Sequence, residues 1–245
     1  MKKTILCLSL IVILPGSFGQ AAIPTKDALN VSPRVLEILN LPAENRAQVT
    51  NFGSLDYYKD YITVAFSEGQ SMRLRWRALM MAAETHREKA TPDLLKAATH
   101  KQWFMRNASL VALAEYNNSE AQKLAKKMLK DKALVVRSAA VEVLQKDARP
   151  DVRDLLWQEL AEKYNYRNNE SLWIRSQIVE ALSQKPSDHE LKSFTKLIND
   201  KDQRVQSAAV FGMEKLTGVK LGEAKTPRDK VVALWKDYVR KEKVE

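Results

Sequence analysis

The sequence predicts an all-α fold, a right-handed α-α superhelix of about five helix pairs. Three observations predict it. A pattern recurs about the anchors Arg75, Arg106, Arg137, Arg175 and Gln206, which are separated by 31, 31, 38 and 31 residues. A fixed period of this size belongs to stacked repeats, in which each unit buries its apolar face against its neighbours. Around every anchor the apolar positions fall one before it and three, four and seven after it, which share one face of a helix. The third observation is composition: only 7 Gly and 8 Pro in 245 residues leave few turns for a β fold.

The chain divides into four segments: 1–21, 22–53, 54–217 and 218–245. In the first, Lys2 and Lys3 precede an apolar run from Ile5 to Leu14. Pro15 and Gly16 end the run, and Ser17, Gly19 and Ala21 suit a signal peptidase. The run is about half the length of a bilayer-spanning helix. Residues 1–21 are therefore expected to be a cleaved signal peptide. The mature chain would be periplasmic or secreted, with no transmembrane segment. The one cysteine, Cys7, lies within the leader, so the mature chain would carry no disulfide and no thiolate ligand. Loss of Lys2 and Lys3 lowers the formal charge from +10 to +8.

Residues 22–53 form an N-terminal extension that covers the first repeat. Within it, Ser32-Pro33 opens a short helix, because Pro is tolerated in the first turn. In the repeats, Thr91-Pro92-Asp93, Ser119-Glu120, Arg149-Pro150-Asp151 and Ser187-Asp188 mark the starts of first helices. Gly69, His100, Asp131, Asn169 and Asp200, each six residues before an anchor, mark the break between paired helices. The 38-residue gap holds seven extra residues near 164–169, whose Asn-rich composition predicts a longer loop. Trp103 and Trp173, just before anchors, are expected in the core at the turns. Residues 218–245 end in an amphipathic capping helix with Val231, Val232, Leu234, Trp235 and Val239 on its apolar side.

Asp131 with Val136-Arg137-Ser138-Ala139-Ala140, and Asp200 with Val205-Gln206-Ser207-Ala208-Ala209, resemble the HEAT-repeat family. The resemblance is to its short bacterial repeats of about 31 residues. It covers roughly residues 54–217 and implies an armadillo-like α-solenoid. It also implies a structural polar ladder of Arg75, Arg106, Asp131, Arg137, Arg175 and Asp200, weakened at its C-terminal end by Gln206.

No catalytic, cofactor-binding or metal-binding residue is expected, and the chain is read as a scaffold and not an enzyme. It has 3 histidines, and His189-Glu190 is its one His-Glu pair, too few ligands for a transition-metal site. Positions one, two and five after each anchor should line the concave face. There Trp76, Arg77, Met80, Asn107, Val111, Glu142, Glu180 and Phe211 form a row that is basic and bulky, then acidic, then aromatic. A mixed row suits a protein partner better than nucleic acid, which calls for continuous positive charge. Trp76 either anchors that partner or packs beneath the extension. The alternative partner is an anionic envelope lipid or polymer, held by Lys123, Lys126, Lys127, Lys130 and Lys132 and by the basic C-terminal residues.

Overall fold

The computed structural model describes residues 30–46 and 56–242. The expected leader, residues 22–29 and 47–53 of the extension, and residues 243–245 lie outside the described residues. Helix α1 (Pro33–Asn40) belongs to the extension. Five pairs follow: α2 (Tyr58–Phe66) with α3 (Met72–His86), α4 (Thr91–Ala98) with α5 (Trp103–Tyr116), α6 (Asn118–Met128) with α7 (Leu134–Leu144), α8 (Pro150–Leu160) with α9 (Ile174–Gln184), and α10 (Leu191–Leu197) with α11 (Gln203–Thr217). Helix α12 (Arg228–Glu242) closes the stack.

Local chemistry starts and stops these helices. Pro33 occupies the first turn of α1, where a missing N–H costs nothing. The Ser71 and Asp202 side chains accept from Leu74 N and Arg204 N and so cap α3 and α11. Ser187 and Glu190 form a reciprocal capping box. Two expected caps move. Asn117, not Ser119, caps α6 by accepting from Glu120 N. A 3-10 turn, Arg87–Ala90, runs straight into α4, so Thr91 is already helical and its hydroxyl instead accepts from Asn117 Nδ2 at 3.1 Å. Gly218, with φ 70°, ends α11 in the left-handed conformation that glycine adopts without steric cost.

The core follows the 31-residue register. At three, four and seven residues after every anchor the side chain is fully buried, from Ala78, Leu79 and Ala82 through to Ala209, Val210 and Met213. Ser109 is polar at one of these positions, and its hydroxyl is satisfied by donating to Leu94 O at 2.6 Å. Consecutive second helices pack directly: α3 on α5, α5 on α7, α7 on α9, and α9 on α11. Consecutive first helices meet through isolated contacts at most. Close packing on one side and separation on the other bends the stack, with the second helices on its inner side.

At the ends, α1 packs on α3 and α12 on α11. Trp235, Val231 and Val232 are the buried residues of α12, whereas Leu234 is exposed, a correction to its place on the apolar side. It lies one residue from Trp235, about 100° around the helix and off the narrow strip that α11 covers.

The insertion is ordered, which corrects the loop reading. A 3-10 turn at Lys163–Asn165 leads into a two-stranded hairpin, Tyr166–Arg167 against Glu170–Ser171. Asn168 and Asn169 make its turn with φ of 52° and 62°. Asn tolerates these values, and a pair of them matches the twist of a two-residue hairpin.

Candidate functional site

The anchor arginines are buried and hydrogen-bonded between repeats. Arg106 grips Asp131 with two bonds of 2.7 Å, Nε to Oδ2 and Nη2 to Oδ1, and its Nη1 donates to His100 O and Lys101 O. Arg175 reaches Asp200 with bonds of 3.1 and 2.7 Å and donates from Nε to Leu160 O. In both rungs the carboxylate lies 25 residues downstream and also accepts a backbone N–H two residues on, from Ala133 or Asp202. Burial pushes these carboxyls up, but the arginine and backbone hydrogen bonds outweigh it and hold both below the usual range.

The other rungs lack carboxylates. Arg75 donates from Nε to Ala65 O at 2.8 Å and reaches the Gln102 side chain and His100 Nε2. Arg137 uses Asn165 Oδ1 and Tyr164 O, supplied by the insertion, together with Asp131 O. Asn169 sits instead in the hairpin turn and is exposed. Gln206 donates to Asp200 O at 2.6 Å. These cations are engaged by the fold and are not presented as an anion-binding row.

Beyond the ladder, Arg153 and Glu190 form a buried pair, with Trp157 Nε1 and Ser187 N also donating to Glu190. Glu190 is thus taken up by structure, while His189 is exposed and contacts Ser187 Oγ at 3.0 Å. Burial pushes the Glu159 carboxyl up, although the Tyr164 hydroxyl donates to it. Among the described residues no cluster of three or more His, Cys, Asp or Glu side chains could hold a metal ion. No described helix is long and apolar enough to cross a membrane.

The inner row divides by availability. Arg77 donates from Nη1 to Leu39 O at 2.9 Å and ties α1 to α3. Trp76 and Met80 are half-buried and packed against the core. Asn107 is buried, with Oδ1 lacking a hydrogen-bond partner. Ser138 and Gln177 bond each other across α7 and α9 at 2.8 and 3.2 Å. Val111, Glu142 and Glu180 are exposed, and neither glutamate forms an ion pair among the described residues. Phe211 is half-buried, with Lys215 Nζ 4.5 Å from its ring centroid. At this end a depression of about 420 Å³ opens beside Glu180, Phe211 and Arg228.

Three of the five clustered lysines face carboxylates: Lys123 meets Glu120 at 2.7 Å, Lys126 meets Asp151 at 2.5 Å, and Lys130 lies 4.0 Å from Glu159. This cluster is therefore partly neutralised. Trp103 and Trp173 are not core residues; they are 42% and 43% exposed. Trp103 is the first residue of α5 and Trp173 the cap of α9, so both lie at the turn edge within their repeats.

Comparison with curated proteins returned no significant match. Residues 63–145, spanning the end of α2 to the end of α7, match the family model described as HEAT repeats. Over that segment the chain is similar to HEAT repeats, and the helix pairs that follow continue the same register in an all-α solenoid.

Proposed function

We propose that this protein is an exported, non-catalytic scaffold that binds a protein partner along the inner face of its solenoid. HEAT repeats form helical scaffolds that often mediate protein interaction. One observation carries the assignment of the face. Exposed Glu142, Glu180 and Val111 stand, with half-buried Phe211, on helices clamped to one another by the ladder. Rigid presentation lowers the ordering cost of binding. The mixture of acidic and apolar side chains suits a polypeptide with complementary basic and apolar groups. Export is supported by the basic start and apolar run of residues 1–21.

The test is a crosslinking pull-down from envelope extract with the full chain and a Val111→Arg/Glu142→Arg variant, at low and high salt. A discrete protein retained through high salt and lost in the variant is expected. A protein held equally by the variant would remove the inner face as the binding surface. Cell fractionation checks export, which fails if the chain stays in the cytosol with residues 1–21 intact.

A further inference from the structure

The edge formed by the turns within repeats carries a second feature. Met72, Trp103, Val135 and Trp173 are all two or three residues before an anchor, at the starts of α3, α5, α7 and α9. They are 53%, 42%, 45% and 43% exposed. Single exposed apolar residues are ordinary on a protein surface. Four at two adjacent repeat positions, Met72 and Trp103 three before an anchor and Val135 and Trp173 two before, form an apolar strip along the turn edge.

The strip is not flat. A depression of about 510 Å³ lies between Met72 and Trp103 and reaches Lys132. A larger one, about 1270 Å³, lies beside Trp173, between the hairpin and the start of α11; Lys163, Lys201 and Arg204 line it, as do Glu170, Asp200 and Asp202. Lys132, Lys163 and Lys201 are exposed and form no ion pair among the described residues. Asp200 is taken up by Arg175 and Asp202 caps α11, so the strip is apolar side chains flanked by available ammonium groups, with Glu170 an exposed carboxylate among them.

We propose that this turn edge is a docking surface for an extended acidic peptide segment, with bulky apolar side chains seated against Trp103 and Trp173. It rests on the reading of the chain as a protein-binding scaffold but uses a different face. Charge complementarity selects the occupant: carboxylates between the apolar residues meet Lys132, Lys163 and Lys201. The recesses select its shape, because a membrane plane would leave them unfilled whereas side chains of a strand enter them. Helix spacing selects its register. Helices α5 and α9 are separated by α7, and packed helices lie 8–10 Å apart, so the two tryptophans are about 16–20 Å apart along the edge. An extended chain covers that in about five or six residues.

Selection of a random dodecapeptide library on the full chain, followed by anisotropy with labelled synthetic peptides, tests this. Enriched peptides should carry two bulky apolar residues five or six apart among Asp and Glu. Their Kd should rise at least tenfold in Trp103→Ala and in Trp173→Ala, and also in Lys132→Glu/Lys201→Glu. The inner-face variant Val111→Arg/Glu142→Arg should bind them as the unaltered chain does. Circular dichroism of each variant excludes loss of fold. No enriched pattern, or binding indifferent to both tryptophans, overturns the edge site. Peptides lost only in the inner-face variant overturn it while supporting the inner-face reading. Sedimentation with phosphatidylglycerol vesicles that needs both tryptophans, without any peptide pattern, overturns it in favour of a lipid surface.

Discussion

Arg137 donates from Nε to Asn165 Oδ1 at 3.1 Å, a neutral acceptor where Arg106 and Arg175 each have a carboxylate. The insertion supplies Asn165, and its Nδ2 also donates to Glu159 O at 2.8 Å. The centre of the stack therefore has a rung of different strength from its neighbours.

Replacing Asp131 by Ala removes the counter-charge of Arg106, whose side chain is 8% exposed and keeps only the Nη1 bonds to His100 O and Lys101 O. Loss of one partner of a buried ion pair costs about 3–5 kcal/mol. Replacing Asn165 by Ala leaves Arg137 its carbonyl partners and should cost about 1–3 kcal/mol. Urea unfolding at neutral pH should rank Asp131→Ala well below Asn165→Ala. The reverse order would mean that the hairpin rung, not the charged one, holds the repeats together.

Gly212 offers a prediction in which two effects oppose. In a helix interior, Ala is favoured over Gly by about 1 kcal/mol. A Cβ at Gly212 would meet the Phe194 ring at 2.8–2.9 Å, and that ring is fully buried between α10 and α11. Overpacking costs about 1–3 kcal/mol, so Gly212→Ala should lower the melting temperature. Gly212→Ala/Phe194→Leu should recover part of the loss; no recovery would place the strain elsewhere.

The hairpin turn predicts a local effect. Asn168 and Asn169 have positive φ, which a β-branched side chain resists at a cost of about 1–3 kcal/mol. Asn169→Val should destabilise, and Asn169→Gly should be close to neutral. Hydrogen exchange should show the loss at residues 163–171, with α5 and α11 protected as before.

His100 predicts a pH dependence. Its Nδ1 accepts from Gln102 N at 3.0 Å, and Arg75 Nη2 lies 3.3 Å from Nε2. Burial, then the Arg75 charge, holds the imidazole below its usual value near 6.5. The fold thus favours neutral His100. Stability is full above the unfolded value and falls as pH drops below about 6.5, where the unfolded chain takes up the proton first. The melting temperature should decline between pH 7.5 and 5.5, and His100→Gln should flatten that decline. At lower pH, Asp131, Asp200 and Glu190, all held below the usual range, withdraw their contribution as they protonate. Glu159, held above it, acts with the opposite sign, since its protonated form is favoured in the fold.

Much of the architecture is readable in the residues. The positions after each anchor recur at helical spacing, and the same positions, such as Ala140, Val141 and Leu144, have no solvent exposure. Periodicity reports burial because a helix can face its neighbours with one stripe only. Trp103 and Trp173 were misplaced because hydrophobicity says what a side chain would gain by burial, not whether another element reaches it. Arg77 could not be read as a tie to Leu39 O, because α1 and α3 meet only on folding. The hairpin is local in sequence, yet its Asn165 serves an arginine 28 residues upstream.

The sequence by itself determined the all-α class, the five helix pairs and the register of their core, because each depends on a short-range pattern repeated along the chain. Tertiary structure alone decided which repeats share a carboxylate, which inner positions stay open, and that two tryptophans line an uncovered edge. Those outcomes depend on where one repeat ends against the next, a distance in space that no local spacing encodes.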